Sequence, residues 1–356
     1  MKRILVAPLN WGLGHAARCV PLIQSLQYMG VEVLLASDGG AMRLLEAEFP
    51  NLSVIEIPSY RIRYEYSNMV RNIAWQLPRI TYAIRAEHRA VEKLVQEHDI
   101  HGIISDNRYG CFNAKVSSII LTHQLHLRVP NSFLQWGANR MLRRALRQFD
   151  IVWAPDVATT PNLSGELSHG EPIVHPNTRF IGPLSRLQPG QGSTEYDVAV
   201  VLSGPEPQRT YLEQRLLEQA MLLPHKFIFI QGKTQAKKHH YAADNVEVVS
   251  YLTSYELNQV LLASDVIVCR SGYSSIMDLA ALGKKALLIP TPGQTEQEYL
   301  AAYFAHQQTF LVQKQDEINL EKGLREVNET TGFEPGQFDT RVFESILGEW
   351  VDGLKP

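Results

Sequence analysis

Short apolar runs alternate with amphipathic stretches of helix length twice along this chain, and nothing else in the sequence constrains the fold as tightly. The first series is "RILVAPL", "VEVLLAS", "LSVIEI", "HGIISD" and "SSIILT"; the second is "YDVAVVLS", "HKFIFIQG", "VEVVSYL", "SDVIVCR" and "KKALLIP". Runs this short and this apolar fit strands buried on both faces, and their separation by helical stretches predicts βαβ units on a parallel sheet. The first helix is expected from about Ala16 to Met29, ending at Gly30; glycine is the common residue just past a helix end. Between the series lies "GPLSRLQPGQGST", rich in Gly, Pro and Ser. The expectation is therefore an α/β protein of two doubly wound, Rossmann-like domains facing a central cleft. Residues 1–182 form the first domain, 183–194 the linker and 195–339 the second, with a C-terminal helix in 340–356 packing back on the first. In such sheets ligands bind beyond the carboxyl ends of the strands.

Composition excludes several classes. At 356 residues, with 45% hydrophobic and 20% charged residues, the chain is long enough for two ordinary cores and is neither disordered nor fibrous. No signal-peptide pattern and no apolar run of membrane-spanning length is present. A cytoplasmic protein is expected, with peripheral attachment to the inner face of the membrane left open. Cys19, Cys111 and Cys269 are odd in number and far apart, which fits reduced thiols and no metal site. The net charge of −3 is uneven: residues 1–180 hold 19 Lys+Arg against 15 Asp+Glu, a net +4, and the remainder 15 against 22, a net −7. No concentrated basic footprint exists, so nucleic acid is not an expected partner.

"NWGLGHAARC", Asn10 to Cys19, follows the first apolar run directly. Gly12, Gly14 and Ala17 spell G-x-G-x-x-A, and Asp38 ends the second run where a ribose-binding acid of a dinucleotide fold would stand. His15 argues against that reading, because an imidazole after the second glycine occupies the space a pyrophosphate needs. The alternatives are a tight turn of structural purpose, or a loop that presents His15 for catalysis. Asp106, closing "HGIISD", would either orient that imidazole or cap the next turn.

The second half carries a denser pattern. In "SDVIVCRSGYSSIMDLAALGKKALLIPTPGQTEQEYLA", Ser271, Gly272, Tyr273, Ser274 and Ser275 put main-chain N–H groups and hydroxyls at a helix start, which favours a phosphate, with the cation of Arg270 beside them. Asp278 follows within two turns as an acceptor for ribose hydroxyls. Glu296 and Gln297 stand in the next βα loop within reach of a sugar. "LSGPE", with Ser203 and Gly204, opens the same domain as a second phosphate-loop candidate.

This order of residues resembles the C-terminal donor-binding region of GT-B glycosyltransferases, most closely family 28. That family includes the bacterial N-acetylglucosamine transferase making the lipid-linked peptidoglycan precursor. The resemblance implies that Asp278 holds the ribose, Glu296 and Gln297 the donor sugar, and the Ser–Gly turn the diphosphate. It also implies an acceptor-side loop at Gly12 and Gly14, with His15 as general base; an unperturbed imidazole pKa near 6.5 suits that task at neutral pH. The ribose acid is usually Glu and is Asp here, and a frequent later Asn is replaced by Ala301 or Ala302, so the resemblance does not assign the sugar.

The expected activity is metal-independent, cofactor-free, inverting transfer of a hexose-type sugar from a UDP-sugar, UDP-N-acetylglucosamine among the candidates, to a hydroxyl of a lipid, glycan or small molecule. "GLGHAARC" also resembles the loop of the UDP-sugar hydrolase of pseudaminic acid synthesis. A nucleotide-sugar 2-epimerase and a non-catalytic nucleotide-sugar sensor are further alternatives. On the acceptor side, "SFLQWGANRMLRRALRQF" puts Leu134, Ala138, Met141, Leu142, Ala145 and Phe149 on one helical face and Arg140, Arg143, Arg144 and Arg147 largely off it. It reads either as a core helix with a solvated basic face or as a membrane-contacting one. "SYRIRYEYSNMVRN", Ser59 to Asn72, is a cationic, aromatic candidate for receiving a lipid-linked acceptor.

Overall fold

The computed structural model describes residues 1–60, 69–129, 131–190, 192–234 and 238–355. Residues 61–68, most of the Arg/Tyr-rich stretch, lie outside the described residues. The chain divides into two units, Met1–Leu184 with Asp339–Pro356, and Ser185–Phe338.

The first unit is built on β1 (Arg3–Pro8), β2 (Glu32–Ser37), β3 (Val54–Glu56), β4 (Gly102–Asp106), β5 (Ser117–Leu121), β6 (Ile151–Ala154) and β7 (Thr178–Phe180). They lie in the order β3-β2-β1-β4-β5-β6-β7, every pair parallel. Ile4, Leu5, Val6 and Ala7 of β1 are fully buried, because the central strand of a parallel sheet is covered on both faces. α1 (Gly14–Tyr28), α2 (Gly39–Glu48), α3 (Met69–Glu97) and α4 (Ser132–Leu146) supply the crossovers. α11 (Val342–Gly353) returns to this sheet: Trp350 Nε1 donates to Ser117 Oγ at 2.9 Å, and Lys2 Nζ donates to the carbonyl of Val351 at 2.6 Å. An ideal Cβ on Gly102 would meet the Trp350 ring at 2.7 Å, so the close approach of α11 depends on glycine there.

The second unit holds β8 (Tyr196–Val201), β9 (Phe227–Ile230), β10 (His239–Ala243), β11 (Val246–Val249), β12 (Ser264–Cys269), β13 (Lys285–Leu288) and β14 (Leu311–Val312). Their order is β10-β11-β9-β8-β12-β13-β14, parallel except for the antiparallel β10. A single core joins Val198, Val200, Phe227, Phe229, Val268 and Leu287. The segment read as a linker is packed onto this unit from Ser185 onward: Ser185 and Leu187 are buried, and Gln188 N donates to Asn258 Oδ1 at 2.9 Å.

In each sheet the strand order reverses once, between β1 and β4 and between β8 and β12. Loops leaving neighbouring strands in opposite directions open a crevice there, the usual ligand position of a doubly wound sheet. Among the described residues no helix is long and apolar enough to cross a membrane.

α4 departs from the expected burial. Leu142, Leu146 and the following Phe149 are buried against Ile120 and Val152, whereas Leu134 and Met141 are each 54% exposed, Trp136 57% and Phe133 76%. The buried contacts of α4 come from its C-terminal half, while its first two turns present Phe133, Leu134 and Trp136 outward, with Arg140 over the Trp136 ring.

Candidate active site

Strand register builds the first cluster. Pro8 of β1 pairs with Asp106 of β4, and Leu9 N donates to the Asp106 carbonyl at 3.0 Å, so the carboxylate stands beside the loop that leaves β1. That loop turns through Gly12 at φ +82°, a conformation that favours glycine although open space surrounds the position. α1 starts at Gly14, so His15 and Arg18, three residues apart, share its first-turn face.

Both side chains reach Asp106. His15 Nδ1 lies 2.9 Å from Oδ1; Arg18 Nε donates to Oδ2 at 2.6 Å and its Nη2 to Oδ1, a two-pronged pair. Asp106 is fully buried, and the Arg18 side chain is 1% exposed against 15% for His15. Burial alone would raise the Asp106 pKa, but the charge of Arg18 and the bonds from Arg18 and His15 outweigh it and hold the carboxyl well below the usual range. Since a carboxylate only accepts, Nδ1 of His15 carries the proton, and Nε2 is left with its lone pair. Arg18 Nη1 approaches Nδ1 of the buried His123 at 3.3 Å. Both oxygens of Asp106 are engaged by α1, Oδ1 by His15 and Arg18 and Oδ2 by Arg18.

Asp38 is not placed as a ribose acid. It is 4% exposed, ion-paired with Arg108, and accepts from Asn10 Nδ2 at 2.9 Å. Arg108, itself fully buried, also pairs with Glu87 at 2.7 Å, and Glu87 accepts from Tyr60 Oη and Gly110 N, both at 2.8 Å. This network spans β1, β2, α3 and the segment after β4 and braces the loop carrying His15. Sequence reasoning missed it because its members are scattered over a hundred positions.

The second cluster belongs to the other unit. Ser203 and Gly204 follow β8, with Gly204 at φ +102°, where an added Cβ would lie 3.5 Å from Thr291 Oγ1. After β12 the chain turns at Arg270–Gly272 into α8 (Tyr273–Leu282), whose N-cap is Gly272 and which therefore has no side-chain cap from that residue. Main-chain donors of a first turn, left uncapped, suit an anion. Ser274 and Ser275 are half-buried there.

Arg270 does not set its charge beside the helix start as its sequence position suggests. Its guanidinium is fully buried and donates to the carbonyls of Gln208 at 2.9 Å and of Ile289 and Pro290 at 3.2 Å, and to Gln315 Oε1 at 2.6 Å. With no carboxylate beside it, burial lowers its pKa to about 10. Arg270 ties loops together and does not extend its charge to the helix start. Ser271 is likewise buried, its hydroxyl donating to the Gln297 carbonyl at 2.8 Å, and Gln297 Oε1 accepts from Thr291 N at 2.8 Å. These bonds fix the N-terminal turn of α9 (Thr295–His306) against the Gly272 turn, leaving Gln297 Nε2 3.8 Å from the Cβ position of Gly272. Glu296 is half-buried in the first turn of α9.

Asp278, half-buried on α8, accepts from Ser185 Oγ at 2.6 Å. Burial raises its pKa to about 6 against the opposing charge of Arg186 and the Ser185 bond. Sequence reasoning did not single out Arg18, His123 or Ser185. Arg18, one turn after His15, was the one with a visible signal.

With this geometry in view, residues 199–334 match the glycosyltransferase family 28 C-terminal domain. A UDP-N-acetylglucosamine–N-acetylmuramyl-(pentapeptide) pyrophosphoryl-undecaprenol N-acetylglucosamine transferase of Haemophilus ducreyi is 24% identical over 338 residues, 91% of this chain and 88% of that protein. An uncharacterized glycosyltransferase of Methanosarcina acetivorans is 23% identical, over 84% of this chain and 82% of its own. Among solved structures, Acinetobacter baumannii MurG aligns with a TM-score of 0.53 at 13% identity, covering 100% of this chain and 96% of that one. The glycosyltransferase SnogD from Streptomyces nogalater gives 0.62 at 15%, covering 99% of each. Two parallel-sheet α/β units with these neighbours show the GT-B fold, and the matched domain together with the curated relatives supports a glycosyltransferase enzyme. The likeness to family 28 lies in residues 199–334 and in the similarity to these curated relatives.

Proposed function

We propose that the chain is an inverting, metal-independent hexosyltransferase that uses a UDP-sugar, with UDP-N-acetylglucosamine the first donor to test. The observation that carries the reading is the His15 Nδ1–Asp106 bond, which leaves Nε2 as a proton acceptor. In the proposed step, Nε2 takes the proton of the acceptor hydroxyl while its oxygen attacks the anomeric carbon from the face opposite the diphosphate. The bond from that carbon to the diphosphate oxygen breaks, and its electron pair leaves with UDP.

Donor binding falls to the second unit. First-turn N–H groups of α8 and the hydroxyls of Ser274 and Ser275, with the Ser203–Gly204 loop, meet the diphosphate charge as it develops. Asp278 accepts from the ribose, and Glu296 with the Nε2 of Gln297 serves the sugar hydroxyls. Arg270, buried among carbonyls, supports the loops in this scheme.

A lipid-linked acceptor is favoured by α4. Phe133, Leu134, Trp136 and Met141 are exposed, Arg140 lies over the Trp136 ring at 5.9 Å, and residues 131–149 contain four arginines and no acid. Aromatic and apolar side chains edged by arginine suit an anionic bilayer surface. The Haemophilus relative is named for an undecaprenol-linked acceptor, in keeping with that choice.

The test is calorimetric titration with UDP-N-acetylglucosamine, UDP and NAD in the presence of a chelator, followed by UDP release with and without an undecaprenyl-linked acceptor. Binding of UDP and its sugar, no binding of NAD, and acceptor-dependent release are expected. Release at the same rate in water alone would replace the reading with hydrolysis, and binding of NAD alone would overturn it.

A further inference from the structure

Among the described residues, Arg18 is the one that bonds both oxygens of Asp106 through its guanidinium fork, and it does so from the same helical turn as His15. Its Nη2 also stands 3.1 Å from His15 Nδ1. Both are N–H groups once Nδ1 is protonated toward Asp106, so this approach sets two donors side by side and is not a hydrogen bond. We infer that Arg18 is a positioning residue that fixes the tautomer of His15: by keeping Asp106 an acceptor at both oxygens it holds the imidazole proton on Nδ1 and leaves Nε2 bare. The inference rests on the reading of His15 as the base.

The chemistry of a buried carboxyl makes the alternative concrete. The groups facing Asp106 are His15, Arg18 and Cys19 from α1, with Cys19 Sγ 3.6 Å from Oδ2, and Tyr109 from the segment after β4; His123, beyond β5, faces it through Arg18. Of these, Arg18 is the one permanent cation. Burial pushes the Asp106 carboxyl upward, and the charge of Arg18 is the largest influence holding it down. Without that charge the carboxyl takes up a proton, becomes a donor, and gives its hydrogen bond to Nδ1. The imidazole proton then moves to Nε2, the position from which an acceptor hydroxyl would have to be deprotonated. Donor binding, assigned to the other unit, is untouched.

The experiment compares wild type with Arg18→Met and Arg18→Lys, using nitrogen NMR of labelled histidine with His15→Ala for assignment, and steady-state kinetics across pH. If Arg18→Met does not fold, Arg18→Gln, whose amide still donates one hydrogen bond, takes its place. The expected result in the neutral variant is a His15 protonated on Nε2, turnover at pH 7 reduced about 10²–10⁴-fold, unchanged KM for the donor, and recovery of turnover as the pH is raised through the Asp106 ionisation. Arg18→Lys, which keeps the charge and loses the fork, recovers the Nδ1–H tautomer and part of the rate. A folded neutral variant that keeps Nε2 bare overturns the inference, whether or not its rate falls. The tautomer is read without turnover, so full activity of His15→Ala would remove the base reading and leave this result distinguishable from it.

Discussion

The hydroxyl of Ser185 donates a 2.6 Å hydrogen bond to Asp278, ninety-three positions further along the chain. A residue of the Pro/Gly-rich segment thereby helps to set the carboxyl proposed to hold the donor ribose. Asp278 is raised by burial to about 6, and only its ionised form accepts from two ribose hydroxyls. Affinity for UDP-N-acetylglucosamine should therefore weaken as the pH falls through about 6, measured by calorimetry between pH 5 and 8. A sugar-esterified diphosphate does not titrate in that range. Asp278→Asn should bind weakly at every pH, and Ser185→Ala should move the midpoint upward by removing a donor that favours the carboxylate. Stability runs the opposite way: the native state holds this proton where the unfolded chain has lost it, so the group's contribution is present at low pH and is lost as the pH rises through about 6.

The Asp38–Arg108–Glu87 network should be structural. Arg108→Met leaves two buried carboxylates without their cation, a change that costs about 3–5 kcal/mol where a buried pair is broken. Chemical denaturation should show a loss of that order, while UDP affinity of the folded fraction stays at the wild-type value.

α4 should govern attachment to anionic vesicles. Trp136→Ala together with Phe133→Ala removes the exposed rings, and Arg143→Gln with Arg144→Gln removes charge near the surface, where each basic residue is worth about 1 kcal/mol. Either pair should lower co-sedimentation with phosphatidylglycerol vesicles by about tenfold or more, without changing turnover on a water-soluble acceptor. Equal binding by both variants would remove α4 from the surface that contacts lipid.

Much of the sheet architecture is legible because parallel strands buried on both faces cannot hide their apolar character. β10 is not, since "HHYAA" is an exposed edge strand and has no face to bury. β7 and β14, three and two residues long, are too short for any periodicity. His15 and Asp106 could be placed near each other in advance because one follows and the other closes a strand of one sheet, but orientation of the imidazole and capping of the next turn both remained open from sequence. The direction of Arg270 could not be: position beside a phosphate-type turn says nothing about whether a side chain opens outward or threads back among carbonyls. On α4, Leu134 and Met141 have the right spacing for a core face, but the structure leaves each 54% exposed and buries only Leu142 and Leu146 of the helix.

The most direct test of the account is the turnover of His15→Ala at saturating UDP-sugar and acceptor, with donor affinity measured on the same preparation. If His15 is the general base, kcat falls about 10²–10⁴-fold and donor affinity is unchanged. Turnover equal to wild type would contradict that role and take His15, and with it the Asp106 bond, out of the mechanism.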